Sequence, residues 1–269
     1  MHPDLVPFLP IKTYGFCMAL ALLAAWKTIS ALCRGSGRDP EPYSNLLTAM
    51  MFSGIVGARV AYVVEHWKAE FAANPWSVVR VDQGGLMFYG GLILACIVFA
   101  VWCRVGKVKA IAASDLFAAS IPLAHAIGRV GCFFYGCCYG RLSDGPLGVA
   151  FPHGSPAWYE QLHAGQIAST AAQSLPVLPT QLFEAAANLA LFAALFLFFR
   201  RFRRGTAALY LIGYALIRFA MEGLRGDPRA AIGPFSISQT ISLALLAAGA
   251  ILAYVSFARP PRSQNAAAS

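Results

Sequence analysis

Charge is what this sequence has least of. Lys, Arg, Asp and Glu make up 12% of its 269 residues, whereas 58% are hydrophobic, and a soluble domain carries roughly 25% charged residues. A soluble globular domain is therefore excluded, because too few polar side chains are present to cover one. Repeats are lacking too, and Gly/Pro-broken helix pairs are not evident, which argues against an inverted-repeat transporter. Low complexity is confined to the short tail PPRSQNAAAS. No His/Cys spacing matches a structural zinc site, and the adjacent Cys137 and Cys138 are too close in sequence for an ordinary metal clamp, so no metal ligand set is expected.

What the sequence has instead is long apolar runs of roughly the 20 residues that cross a bilayer. Seven are read, near residues 13–33, 44–65, 85–103, 113–135, 180–199, 207–224 and 235–257. The expected fold is an all-α polytopic membrane protein of about seven transmembrane helices. It forms a single domain, 1–269, with residues 141–178 as an extracytoplasmic loop or cap. The first run resembles a signal peptide, and SALC (30–33) faintly imitates a lipoprotein cleavage box. Leu32 is too large for that box and Arg34 follows directly, so the run is read as a retained span.

Cations set the orientation. With the N-terminus outside, twelve Lys/Arg fall on the cytoplasmic side, Arg259 and Arg262 among them, and six fall outside. Arg59, Arg129 and Arg218 lie within spans. The C-terminus is thus expected in the cytoplasm. RRFRR (200–204) reads as a cytoplasmic anchor near anionic lipid, not as a nucleic-acid patch, and membrane lipids are the expected surroundings.

Ionisable residues at membrane depth are costly and read as functional by default. A buried guanidinium grips phosphate through paired hydrogen bonds, so Arg59, Arg129 and Arg218 point to a phospholipid headgroup; helix-to-helix ion pairs are the structural alternative. Tyr214, Arg218 and Glu222 follow i, i+4, i+8 and stack on one helix face, with Arg225 beyond them. Glu184 opens the fifth span in PTQLFE, and Gln181 precedes it by a turn. His125 and Arg129 share a face of the fourth span. Tyr89 is placed at the same outer depth, and Asp115 is read as the N-cap of the fourth span. Cys17, Cys96 and Cys103 read as small apolar residues, whereas Cys132, Cys137 and Cys138 cluster in GRVGCFFYGCCYGR (128–141).

GARVAYV (57–63), GGLMFYGG (84–91), GRVG (128–131), PTQLFE (179–184) and LIGYALIRFAMEGLRGDP (211–228), in this order and spacing, resemble the prolipoprotein diacylglyceryl transferases. The resemblance implies a bacterial inner-membrane enzyme of seven helices with an outward N-terminus. Such an enzyme moves the diacylglyceryl group of phosphatidylglycerol to the lipobox cysteine thiol of a prolipoprotein signal peptide, without a metal or organic cofactor. Arg129 matches the family's essential arginine, Gly140 a required glycine, and Tyr214, Arg218 and Glu222 the sixth-helix polar set.

The departures are specific. The family signature reads Gly-Arg-x-Gly-Asn-Phe-x-Asn-x-Glu; here Cys132 replaces the first Asn, Tyr135 the second and Cys137 the Glu. Tyr89 stands where the third-span motif usually has His. The catalytic candidates are Arg129, Arg218, His125 (a substitute base), Tyr89 and Cys137. The substrate-binding candidates are Arg59, Arg129, Cys132, Gly140, Gln181, Glu184, Tyr214, Arg218, Glu222 and Arg225. Besides transfer to a prolipoprotein, two readings stay open. In one, the enzyme's own cysteines carry lipid covalently or exchange thiols; the other is a non-catalytic phospholipid-binding module. The cysteines either replace lost catalytic groups or only fill their space.

Overall fold

The computed structural model describes residues 4–6, 9–72, 74–80, 85–227, 229 and 231–258. Arg259, Arg262, the tail from 260 onward, Gly84 and Pro228 lie outside the described residues. In chain order, the hairpin β1 (Asp4–Val6) and β2 (Leu9–Lys12) leads into α1 (Thr13–Gly35) and α2 (Glu41–His66). The α2 backbone continues as a π-turn (Trp67–Phe71), followed by a 3-10 turn (Pro75–Val79). Then come α3 (Phe88–Val105), α4 (Ala110–Ala118), α5 (Ile121–Tyr135), α6 (Pro156–His163), α7 (Thr180–Phe202) and α8 (Thr206–Glu222). The hairpin β3 (Ala231–Ile232) and β4 (Phe235–Ser236) precedes α9 (Ile237–Ala258).

The protein is an all-α polytopic membrane protein. Among the described residues, five segments are long and apolar enough to cross a bilayer alone: Thr13–Gly35, Glu41–Phe71, Phe88–Val105, Thr180–Phe202 and Ile237–Ala258. The expected fourth span, 113–135, is not one continuous helix. It breaks into α4 and α5, which meet at 43°. Pro122 sits in the first turn of α5, where it can neither donate to the preceding turn nor accommodate the carbonyl four residues back. The expected sixth span, α8, has 17 residues, at the short limit for a bilayer.

The chain divides into two compact units, residues 1–28 with 114–269, and residues 29–113. The smaller unit rests on α2 packed against α3, and its glycines explain how closely they approach. A Cβ added at Gly57 would fall 2.7 Å from the Leu94 Cβ, and one at Gly91 would fall 3.3 Å from the Ala58 Cβ. Small residues take the place of hydrophobic driving force between helices in lipid, because they let backbones meet. The outward faces carry Val56, Val60, Val64, Ile93, Ile97 and Val101, all exposed, as expected for side chains that meet acyl chains.

Arg59 also belongs to this smaller unit. Its Nε donates to the Val78 carbonyl at 2.7 Å, Nη1 to Gly85 at 3.1 Å and Nη2 to Ser77 at 2.9 Å. Tyr62 and Phe71 lie against its guanidinium at 5.7 and 5.2 Å. Arg59 therefore holds the turn between α2 and α3, which explains a cation at this depth in structural terms. Tyr89, at the start of α3, is exposed with its ring edge-on to Phe88.

In the larger unit α5 packs on α7, α7 on α8, and α8 on α9. Gly213 and Gly249 let α8 approach both neighbours: an added Cβ would fall 2.7 Å from Leu191 and 2.8 Å from Ile212, respectively. Residues 141–178 are ordered around Phe151, which is fully buried with Tyr139, Ala157 and Val177. Ser155 caps α6 by accepting from the Trp158 amide, and the Trp158 indole donates to the Ala171 carbonyl at 2.8 Å.

Asp115 does not cap its own helix. It lies inside α4, 2% exposed, and its carboxylate accepts from the amides of Gly205 at 3.0 Å and Ala207 at 2.8 Å. These amides open α8, so a buried anion from α4 meets the positive end of another helix. Removing it leaves two buried donors unpaired. Asp115→Ala should cost about 2 kcal/mol, read as a lower Tm in detergent; an unchanged Tm would contradict this role.

Candidate active site

The site is built on three helices of the larger unit. Pro122 starts α5, and Gly136, in the left-handed region at φ 81°, stops it. Between them His125, Arg129 and Cys132 fall at helical spacing on one stripe. α7 begins after Pro179 and buries Thr180, Gln181, Glu184 and Asn188 in its first two and a half turns. α8 contributes Tyr214, Arg218 and Glu222.

Glu184, 1% exposed, is where they meet. Its Oε1 lies 3.0 Å from Arg129 Nη2 and 3.6 Å from His125 Nε2, and its Oε2 lies 3.9 Å from Arg218 Nη1. Arg218 Nη2 is 2.8 Å from Glu222 Oε2, as the i, i+4 spacing predicts, and donates to Ser238 Oγ on α9 at 2.9 Å. The His125 and Tyr214 rings stand 5.2 Å apart. Two cations thus flank one carboxylate, and a second carboxylate holds the outer cation. Arg129 Nε and Arg218 Nη1 are buried without a hydrogen-bond partner among the described residues. Buried donors of this kind are normally satisfied; Arg218 Nη1 already faces Glu184 Oε2, so Arg129 Nε is the donor open to a further anion.

A second layer fixes the α5–α7 junction. Past Gly136 the chain turns back, with the Cys137 amide donating to the Cys132 carbonyl at 3.2 Å. Gln181 Nε2 donates to the Cys137 carbonyl at 2.7 Å, and Thr180 Oγ1 to the Cys138 carbonyl at 2.9 Å. Gly140 donates its amide to the Leu178 carbonyl at 2.8 Å. A Cβ at Gly140 would fall 2.7 Å from both Leu178 Cβ and Thr180 Cγ2, so only glycine permits this approach. Gln181 and Gly140, both expected to bind substrate, make contacts that join the α5 exit to the start of α7.

Arg225 lies deeper than its sequence position suggests. Its Nε and Nη2 make a forked pair with Asp227 at 2.7 and 2.6 Å. Burial opposes its charge, but the hydrogen bond and charge of Asp227 together with the Cys138 sulfur outweigh burial, so the guanidinium is held more firmly protonated than usual. Arg229 joins Asp227 at 3.2 Å and reaches Glu222 at 4.0 Å. Hydrogen bonds from the Cys132 and Cys137 thiols pull Cys138 below the usual thiol range, with burial opposing and Arg225 and Arg129 helping. Burial, followed by Glu160 and Asp227, pushes the nearby Tyr139 up to about 12. Tyr139, Gly140, Glu160, Gln161 and Val177 line a cavity of about 340 Å³ at the edge of the 141–178 segment.

The structure therefore gathers His125, Arg129, Gln181, Glu184, Tyr214, Arg218 and Glu222, from the expected fourth, fifth and sixth spans, with Cys132 and Cys137 beside them. Arg59 and Tyr89 belong to the other unit. Sequence reasoning noted Cys138 within the cysteine cluster but missed Asp227, Arg229, Ser238, Thr180 and Asn188. The Arg-x-Asp spacing of 225–227 was a usable signal, whereas Ser238 arrives from a distant helix and had none. Replacing Glu184 with Gln takes the 3.0 Å carboxylate partner from the buried Arg129 and leaves Arg218 to Glu222 alone. It should destabilise the protein by about 3–5 kcal/mol, measured by thermal unfolding. A loss below about 1 kcal/mol would show that the carboxylate does not hold the cations.

Known proteins are similar to this chain over most of its length. Residues 4–255 match the family described as "Prolipoprotein diacylglyceryl transferase". The chain is 31% identical over 250 residues to the phosphatidylglycerol–prolipoprotein diacylglyceryl transferase 2 of Clostridium perfringens, covering 91% of this chain and 90% of that one. It is 32% identical over 267 residues to the phosphatidylglycerol–prolipoprotein diacylglyceryl transferase of Xanthomonas oryzae pv. oryzae, at 93% and 90% coverage. The corresponding protein of Clostridium tetani is 29% identical over 247 residues, at 90% and 93% coverage. With its cations and carboxylates gathered on α5, α7 and α8, this chain belongs to the prolipoprotein diacylglyceryl transferase family.

Proposed function

We propose that the chain transfers the diacylglyceryl group of phosphatidylglycerol to the lipobox cysteine of prolipoprotein signal peptides in a bacterial cytoplasmic membrane. In this reading the N-terminus faces outward, the C-terminus faces the cytoplasm, and residues 141–178 form an extracytoplasmic cap on one catalytic domain. The observation that carries it is the convergence of Arg129 and Arg218 on Glu184, with the buried Arg129 Nε left without a hydrogen-bond partner among the described residues.

The chemistry is a substitution at carbon. The acceptor thiol loses its proton, its sulfur attacks the glycerol carbon that bears the phosphate ester, and the C–O bond to phosphate breaks. A thioether forms and glycerol phosphate leaves with the bonding electrons. Electron count at the reacting atoms is unchanged, so no redox partner takes part. Arg129 and Arg218 are suited to hold the phosphate and to stabilise the negative charge that grows on the leaving group. The base has to stand within reach of the acceptor sulfur. His125, with Nε2 at 3.6 Å from Glu184, fits: the carboxylate stabilises the imidazolium that proton transfer creates. Glu222 and Ser238 keep the Arg218 guanidinium oriented, and Tyr214 packs on the imidazole.

Complementation of a transferase-depleted bacterium, scored by the mass of a lipoprotein, tests the reading. The protein should restore the diacylglyceryl mass increment. Arg129→Ala should lower the rate about 100- to 1,000-fold, with little rescue by Arg129→Lys because a point charge cannot make the forked contact. Accumulation of unmodified prolipoprotein despite membrane-inserted protein would overturn it. Phosphatidylglycerol bound without turnover would instead assign a binding module.

A further inference from the structure

Cys132, Cys137 and Cys138 are left without a role in the transfer reaction, yet their arrangement is built with some care. Cys132 ends the polar stripe of α5. Gly136 then turns the chain back at φ 81°, and Cys138 itself adopts φ 65°, a left-handed conformation rare for any residue with a side chain. That conformation costs about 1–2 kcal/mol. Neighbouring residues in extended chain point to opposite sides; the left-handed turn removes this alternation and brings both adjacent thiols to the Cys132 side. The three Sγ atoms lie within 4.8 Å of one another, unbonded and partly buried. Adjacency in sequence, which counted against a metal clamp, is overcome by the backbone.

The scaffold is fixed from outside as well. Gln181 and Thr180 bind the carbonyls of Cys137 and Cys138, so the hairpin is tied to the start of α7. Arg225 lies close enough to Cys138, and Arg129 to Cys132 and Cys138, for each guanidinium to interact with the sulfurs' charge. Cations on one side and three convergent sulfurs on the other suit an anionic thiolate–metal complex.

We infer that Cys132, Cys137 and Cys138 form a three-sulfur binding site for a thiophilic d10 metal ion, with Cu(I) the best match. A metal–sulfur bond of about 2.3 Å places trigonal or tetrahedral sulfurs about 3.8–4.0 Å apart, so the sulfurs close by less than about 1 Å. Thiolates select soft ions, and Cu(I) is satisfied by three ligands. On binding, each coordinating thiol gives up its proton to solvent and the metal keeps its oxidation state. The resulting negative complex faces Arg129 and Arg225. Because the hairpin also holds Thr180 and Gln181, occupancy is coupled to the turn of α7 that presents Glu184. This inference does not depend on the transfer reaction.

The test uses the full-length, reduced protein in detergent, with Cu(I) supplied through a competing chelator. One ion should bind per chain, with thiolate-to-copper charge-transfer absorption, and it should protect Cys132, Cys137 and Cys138 from alkylation as read by peptide mass. The triple variant Cys132→Ser, Cys137→Ser, Cys138→Ser should lose the ion, whereas Cys96→Ser should keep it. The alkylation pattern of the unaltered protein decides the matter if the triple variant does not fold. Stoichiometric binding that survives the triple variant, or three thiols that alkylate equally with and without Cu(I), would overturn the site. A reduced protein that takes up no ion and instead oxidises to a disulfide among these cysteines would also overturn it. Failure here leaves complementation untouched, so the two readings fail separately.

Discussion

A carboxylate in the interior of an apolar helix bundle is tolerated only where cations or donors replace the water it has lost, and Glu184 is the group around which this site is arranged. Arg129 from α5, Arg218 from α8 and His125 from α5 face its two oxygens from two sides. Arg129 depends on this carboxylate most directly, whereas Arg218 is shared between Glu184 and Glu222. A guanidinium held by one anion still offers donors, and in the proposed reaction that surplus on Arg129 is what a phosphate would use.

The rest of the larger unit holds this cluster in register. Asp115 fastens the start of α8 from α4 through two amides, so the helix that carries Tyr214, Arg218 and Glu222 is anchored at the end away from the site. At the other end, the strand-like contact of Gly140 with Arg225 and the amide of Gly226 on the Tyr139 carbonyl tie the exit of α8 to the exit of α5. The break at Ser120–Pro122 starts α5 afresh after α4, and it sets the rotation at which His125 and Arg129 point toward α7.

Much of this was legible in the sequence, for identifiable reasons. Apolar runs report membrane helices because a bilayer gives no other way to satisfy the backbone, and the spacing of Arg218 and Glu222 reports an ion pair because helical geometry leaves little choice. Arg129 and Glu184 stood out as charges in apolar surroundings. Other features depend on contacts between distant segments. Arg59 has the same local signature as Arg129, but its donors meet backbone carbonyls of its own unit. Asp115 looked like a local cap and serves a helix some ninety residues on. Gln181 and Gly140 join two helices, a contact that cannot be told in sequence from touching substrate. The proximity of three sulfurs depended on one left-handed residue, Cys138, which no propensity marks.

Cys132 and Cys137 depart from the signature the sequence resembles, and in the proposed reaction His125 beside Glu184 is the base assigned in their place. The cysteines lie on the neighbouring hairpin, where the inferred metal site gives them a separate use. The central claim is that the cluster around Glu184 handles a phosphatidylglycerol headgroup during group transfer. The most direct measurement incubates the purified protein with phosphatidylglycerol vesicles and a lipobox peptide, and follows the peptide mass and the released glycerol phosphate together. The account predicts one diacylglyceryl group gained for each glycerol phosphate released; a peptide that stays unmodified while phosphatidylglycerol is bound would contradict it.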